Sequence, residues 1–253
     1  MIDTLWLVGI GTGAPDHVTG QGMAALREAA VILVPHKGAG KDDLAEIRHR
    51  IIAASGSQAE VIAFEYPVRD PALPYLERVA RWHDEIARRW QGAASTRHAA
   101  GPVALLVWGD PSLYDSTLRI AERLEPKPAM RVVPGITAIQ ALTAAHAIPL
   151  NGLNAPVLIT TGRQLRDHGW PEGARRVVVM LDAEASFQAV GMEDLTIWWG
   201  AYLGMAEEIL DHGLVRDVGA RILEKRHRAR SRHGWIMDTY LLSIEEERSV
   251  KGS

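Results

Sequence analysis

The chain has 253 residues, 47% of them hydrophobic, and a formal net charge of −3. That length allows one large domain or two smaller ones, the small charge gives no global pull toward nucleic acid, and the absence of cysteine excludes disulfides, thiolate nucleophiles and cysteine-bound zinc or iron–sulfur centres. No apolar stretch approaches the roughly 18 residues of a membrane helix, the ten histidines lack metal-ligand spacing, and Leu5-Trp6-Leu7-Val8 reads as a strand, so a cytoplasmic protein without metal is expected.

In chain order, the first apolar run is 5–10, and it leads into Gly9-Ile10-Gly11-Thr12-Gly13-Ala14-Pro15-Asp16-His17-Val18-Thr19. Alternate glycines let backbone amides approach a ligand closely, and Thr19 is placed to cap the next helix. The dinucleotide fingerprint would need its third glycine at Ala14, and no Gly-Lys-Ser/Thr follows, so neither nucleotide motif is present. Runs at 31–34, 61–64 and 103–108 alternate with helical patterns, which predicts a parallel sheet wound by helices. The longest such pattern carries Leu76, Val79, Ala80, His83, Ile86, Ala87 and Trp90 on one face, and 91–101 reads as a loop.

The run 103–108 has no polar alternation, as expected of a strand covered on both faces. It ends on Gly109-Asp110-Pro111-Ser112-Leu113-Tyr114, where a parallel sheet binds its ligands. Helical spacing then resumes at Leu113, Thr117, Ile120, Ala121 and Leu124. Taken alone, this segment fits an ordinary strand-to-helix turn equally well.

Glu125-Pro126-Lys127-Pro128 is the candidate boundary, dividing α/β domains at 1–125 and 126–253. A second series follows: a strand at 130–133, a helix over 136–147, and strands at 157–160, 177–181 and 196–199. Runs 220–224 and 235–242 read as closing strands that could pair antiparallel. Between them, 225–233 holds seven basic or histidine residues in nine positions, either a solvated stretch or a surface for a polyanion. The tail from Glu245 is charged and expected to fray. Pro134-Gly135-Ile136-Thr137-Ala138 is a tight turn with Thr137 in the first turn of a helix.

A Gly-x-Gly-x-Gly-x-Pro-Asp-x-x-Thr opening, a Gly-Asp-Pro-x-x-Tyr about 100 residues on and a Pro-Gly-Ile-Thr-Ala about 25 later together resemble the tetrapyrrole (corrin/porphyrin) methyltransferase family. The resemblance spans essentially the whole chain. It implies two α/β domains with a cofactor cleft between them (the class III methyltransferase fold), a homodimer, and S-adenosylmethionine as methyl donor, leaving S-adenosylhomocysteine. It also implies cofactor contacts from Thr12, Trp108, Gly109, Asp110, Leu113, Thr137, Ala138, Met180, Gly200 and Ala201. Thr12 stands where relatives commonly have proline. Ala14 replaces the usual acidic residue, with Asp16 two positions later. Lys41-Asp42-Asp43-Leu44, Arg69-Asp70-Pro71 with Tyr75, Trp82-His83 and Trp198-Trp199-Gly200-Ala201-Tyr202-Leu203-Gly204 are similar to the deacetylating branch, which methylates C1 of precorrin-5 and releases acetate. The alternatives are another C-methyltransferase of corrin or sirohaem biosynthesis, a ribosomal RNA methyltransferase of the same fold, and a non-enzymatic binding protein. The partners implied are a small-molecule tetrapyrrole and a second copy of the chain, with no nucleic acid and no membrane.

Methyl transfer from a sulfonium to an enamine-like carbon needs alignment more than a protein nucleophile. Deacetylation needs a general base and an oxyanion donor. Asp16, Asp70, His83 and Tyr114 are the catalytic candidates. Asp110 is expected to shape the cofactor pocket, and His83, on an apolar face, reads more readily as a core histidine. Substrate carboxylates would be met by arginine forks, for which Arg69, Arg163, Arg166 and the 225–233 run are available, although each also fits a solvated surface.

Overall fold

The computed structural model describes residues 1–36, 42–192 and 194–244, so Lys41 and the tail from Glu245 lie outside the described residues. The chain divides into two compact units, Met1–Thr137 and Ala138–Ser253.

In the first unit, β1 (Thr4–Gly9), β2 (Val31–His36), β3 (Glu60–Glu65), β4 (Val103–Val107) and β5 (Ala129–Val133) form one sheet in the order β3-β2-β4-β1-β5. Every pairing is parallel, with Leu7 beside both Leu105 and Val132. All five residues of β4 are buried, which is why its sequence shows no alternation. The helices are α1 (Gly20–Glu28), α2 (Asp42–Ser55), α3 (Tyr75–Ser95) and α4 (Thr117–Ala121). Thr19 caps α1, its hydroxyl accepting from Gly22 N at 3.0 Å. Leu5, Leu7, Leu33, Leu105 and Val107 pack under Ile86, Ala87 and Trp90 of α3, and each of the Leu, Ile and Val side chains contributes about 1.5–3 kcal/mol on burial.

Three expectations are corrected here. Strand β5, placed after a boundary at 125/126, pairs with β1, and the units divide after Thr137. The prolines at 126 and 128 mark a connection within the first unit. Helix α3 runs through Ser95 into the expected loop, because Ala94 is buried in the core and Ala93 packs against it. At its other end Leu76 is 80% exposed and lies off the buried face.

In the second unit, β6 (Leu158–Thr161), β7 (Arg176–Met180), β8 (Thr196–Ala201), β9 (Ile209–Leu214) and β10 (Asp238–Ser243) form a sheet in the order β6-β7-β10-β8-β9. Only β6 and β7 are parallel; β10 runs antiparallel to both β7 and β8. Helices α5 (Ala138–Ala145), α6 (Gly162–His168) and α7 (Val215–His233) accompany it. Residues 220–224 are helical, within α7, not a strand. Val218, Ile222 and Ala229 are its buried stripe, a period that a five-residue apolar window is too short to reveal. The basic run 225–233 is therefore the second half of a helix, and much of its charge is already engaged. Lys225 bonds Asp211, Arg226 bonds Asp238, and Arg228 pairs with Glu224.

Asp211 on β9 receives Arg221 Nη2 at 2.6 Å and Lys225 Nζ at 2.8 Å. The hydrogen bond from Arg221, against the opposing effect of burial and together with Lys225, lowers its pKa from 3.8 to about 2. A depressed folded-state pKa stabilises the fold above the ordinary carboxylate value, and that stabilisation is lost as pH falls through the folded value. Acid unfolding of the parent should therefore steepen between about pH 4 and pH 2. Asp211→Asn should lose stability at neutral pH and flatten that limb, measured by circular dichroism across pH.

Candidate functional site

The three sequence motifs converge at the carboxyl ends of β1, β4 and β5. Past the strands, Ile10 N donates to Val107 O at 2.9 Å, Gly11 N to Gly109 O at 3.3 Å, and Gly109 N to Gly11 O at 2.7 Å. The turn after β5 packs backbone against backbone on these two. A Cβ on Gly135 would lie 2.0 Å from Gly109 O and 2.8 Å from Gly9 C, and a Cβ on Gly9 would lie 2.6 Å from Gly135 N. No side chain fits among the three segments.

Asp110 ties two of them together. Its Oδ2 accepts from Gly135 N at 2.9 Å, while Oδ1 accepts from Ser112 N at 2.8 Å and Ser112 Oγ at 2.5 Å. Partial burial would raise its pKa, but these bonds outweigh it and hold the carboxyl below the ordinary value. Both oxygens face donors, so Asp110→Asn sets an amide NH2 against another donor in either rotamer. That variant should cost about 1–3 kcal/mol in urea denaturation, and an unchanged midpoint would contradict the bridging role.

Gly109 has φ +62°, a conformation that favours glycine, and a Cβ there would meet only Thr137 Cα at 3.7 Å. Beside it the backbone stands next to open space, as close approach of a ligand requires. Tyr114, four-tenths exposed, holds φ +49°, a strained backbone of the kind that gathers at functional sites. Burial raises its phenol pKa. Leu113 is half-buried, and Leu113 N closes the turn onto Asp110 O at 3.2 Å. Thr137 and Ala138 are half-buried where α5 begins.

Sequence reasoning missed two residues at this edge. His17 Nδ1 lies 2.7 Å from Thr12 Oγ1. Gly11, at φ +70°, brings His17 close enough that a Cβ on Gly11 would be 2.6 Å from His17 Cβ. Arg48 of α2 lies over the Trp108 ring, with Cζ 4.8 Å from its centroid. The short spacing from Thr12 to His17 was a usable signal for the first. Arg48 carries none.

In the second unit, Met180 is half-buried at the end of β7, and the next residue, Leu181, is two-thirds exposed at φ +53°. Asp182 anchors the turn that follows, accepting from Ser186 N at 2.6 Å, Ser186 Oγ at 2.9 Å and Tyr240 Oη at 2.5 Å. Gly200 and Ala201 are the last two residues of β8, and both are buried. Ala201 has no exposed surface, and a Cβ on Gly200 would be 2.6 Å from Leu203. Ala201 belongs to the core of this unit.

The remaining candidates are scattered. Asp16 is exposed in a short 3₁₀ turn, Pro15–His17. Asp70 is exposed, its carboxylate accepting from Ala72 N at 2.9 Å. Arg69 stacks on Trp82, Cζ 4.0 Å from the ring centroid. His83 is buried on α3, its Nε2 lacking a partner; burial, then the positive field of Arg123, Arg69 and Arg119, lowers its pKa. Arg163 is exposed on α6. Arg166 pairs with Asp167 at 2.8 Å and Glu184 at 2.6 Å. Among the described residues no group of three or more His, Asp or Glu could hold a metal, and no helix is long and apolar enough to cross a membrane.

The sequence pattern of the tetrapyrrole (corrin/porphyrin) methylases matches residues 4–219. A precorrin-6A synthase [deacetylating] from Sinorhizobium sp. is 46% identical over 244 residues, 93% of each chain. The solved structure of a protein described as cobalamin synthesis related (CobF), from Corynebacterium diphtheriae, is 39% identical with a TM-score of 0.82, covering 97% of this chain and 100% of that one. A uroporphyrin-III C-methyltransferase from Thermus thermophilus, solved with S-adenosylhomocysteine, shares the fold at 16% identity and a TM-score of 0.60, over 95% of this chain and 97% of that one. The strand-end cluster of β1, β4 and β5 and the match along most of the sequence make this chain a member of the tetrapyrrole methylase family.

Proposed function

We propose that this chain is an S-adenosylmethionine-dependent methyltransferase that methylates C1 of precorrin-5 and releases the extruded acetyl group as acetate, forming precorrin-6A in cobalamin biosynthesis. The observation that carries this reading is the 46% identity with a precorrin-6A synthase [deacetylating] along 93% of both chains. We further infer a cytoplasmic homodimer acting on a small-molecule tetrapyrrole.

The residues suit the cofactor. Open backbone beside Gly109 and the polar Thr12 and Thr137 answer the polar parts of a nucleoside-bearing amino acid. Thr12, Trp108, Gly109, Leu113 and Thr137, all of the first unit, are the residues assigned to hold it. When bound, the cofactor supplies a methyl group already activated by its sulfonium. The chain's task is then to hold the donor and acceptor in line and keep water away, the source of most of the acceleration in such a step. Asp110 serves by fixing two of the three walls.

Acetate release needs a group that takes a proton from water. We assign this to the Thr12–His17 pair, with Tyr114 as a hydroxyl donor. The hydroxyl and imidazole are 2.7 Å apart at the strand ends, whereas His83 is enclosed and Asp70 caps its own loop. Incubation with methyl-labelled S-adenosylmethionine and precorrin-5 should give methylated product and acetate in step. Methyl transfer without acetate would move the protein to another C-methyltransferase of the family. His17→Gln should slow acetate release more than methyl transfer, and equal slowing of both would remove the pair from the hydrolytic step.

A further inference from the structure

The most anomalous polar group at this edge is Arg48. Only 8% of it is exposed, and its Nε is buried without a hydrogen-bond partner. A guanidinium has five N–H donors, and the hydrogen bond it makes runs from Nη1 to Leu44 O at 3.1 Å, within its own helix. Among the described residues no carboxylate lies within ion-pair distance. Tyr66 and, after it, Asp115 contribute attraction, but the Asp115 Oδ1 accepts from both Thr117 N and Thr117 Oγ1. Burial accordingly lowers the Arg48 pKa from 12.5 to about 10.

A buried charge without its counter-ion is costly, and leaving one partner of a buried pair alone is strongly destabilising. Such a group is retained where something else brings the opposite charge. Arg48 is placed for that. Its guanidinium lies over Trp108, the residue before Gly109, and α2 packs on β2 and on the Pro15–His17 turn. Arg48 therefore stands beside the first two strand-end segments, where a fork of parallel N–H groups matches a carboxylate.

We propose that Arg48 receives a carboxylate of a ligand bound at the carboxyl end of the first sheet. The carboxylate belongs either to the amino-acid end of the cofactor or to an acetate or propionate arm of the tetrapyrrole. That choice of ligands rests on the function proposed above; the anion site itself does not. Trp108 forms the apolar wall that holds the guanidinium plane, and the bound carboxylate supplies the missing counter-charge.

The test compares Arg48→Met, which removes the charge and keeps much of the stem, with the parent. Affinity for S-adenosylhomocysteine is read by calorimetry and KM for precorrin-5 by turnover. A loss of about 10- to 100-fold in one of them, with the other within about twofold, supports the site and identifies the source of the carboxylate. If both fall, or Arg48→Met does not fold, Arg48→Lys decides: it keeps the charge and should restore part of one affinity, and restoring neither overturns the proposal. No change in either affinity also overturns it, whatever happens to the melting temperature. Propionate alone should raise the melting temperature of the parent more than that of Arg48→Met. If that difference holds while precorrin-5 is not methylated, the functional reading fails and the carboxylate site stands.

Discussion

Gly135→Ala is expected to unfold or gravely loosen the first unit, at a cost of about 3 kcal/mol or more. The added Cβ would lie 2.0 Å from Gly109 O, and backbone also occupies its other near neighbours, at Gly9. A crowded side chain can rotate away, but a carbonyl at the end of a buried strand moves only with its strand. Gly109 O also accepts from Gly11 N, and Gly135 N donates to Asp110, so any shift that relieves the clash breaks bonds on both sides. The contrasting variant is Gly109→Ala. Its Cβ meets little, and its cost is mainly the φ of +62°, on the order of 1 kcal/mol. Thermal unfolding should rank the parent above Gly109→Ala and Gly109→Ala well above Gly135→Ala. The affinity for S-adenosylhomocysteine should still fall in Gly109→Ala, because the new methyl occupies the open backbone face. If Gly135→Ala melts within about 2 °C of the parent, a fraction of the shift that 1 kcal/mol produces in a domain of this size, the close packing of the three segments is refuted.

These glycines also show why so much of the site was legible beforehand. Each motif begins where an apolar run stops, and a buried parallel strand announces itself by lacking alternation, as 103–107 does. What binds next to such strand ends must come from the few residues that follow, and those are contiguous in sequence. Contacts made across the fold leave no such trace. Arg48 and Trp108 are sixty residues apart, and an arginine in a helix reads the same whether it faces water or an indole. Strand β5 was assigned beyond its true unit for a similar reason. Prolines at 126 and 128 announce a break in the chain, but only the pairing of Val132 with Leu7 tells which sheet receives the strand. The run 220–224 failed through length, since Ala-Arg-Ile-Leu-Glu fits either period.

The basic run supplies the second large effect, because one of its members is structural. Arg226 and Asp238 are nine-tenths or more buried at the side chain and joined from Nε to Oδ2 at 2.6 Å. Arg226 Nη2 also donates to Asp182 O at 2.6 Å, and Trp199 Nε1 donates to the same Asp238 Oδ2 at 2.8 Å. The bonds link α7, the turn after β7, and strands β8 and β10, so the Arg226–Asp238 pair holds four segments in register. Asp238→Ala would leave the Arg226 Nε–H and the Trp199 indole N–H without their acceptor and the buried guanidinium without its counter-ion, and is expected to cost about 3–5 kcal/mol. Asp238→Asn keeps one acceptor and should cost less. The double variant Arg226→Met with Asp238→Leu removes both charges and should recover most of the loss, since a buried ion pair is often replaceable by apolar groups of similar size. Denaturant midpoints of the parent, Arg226→Met, Asp238→Leu and the double variant give the coupling between the two residues. Added salt should leave that coupling nearly unchanged, because screening acts weakly on buried pairs. A coupling near zero, or one abolished by salt, would mean that Arg226 behaves as its sequence neighbours suggest, as one more solvated cation of a basic helix.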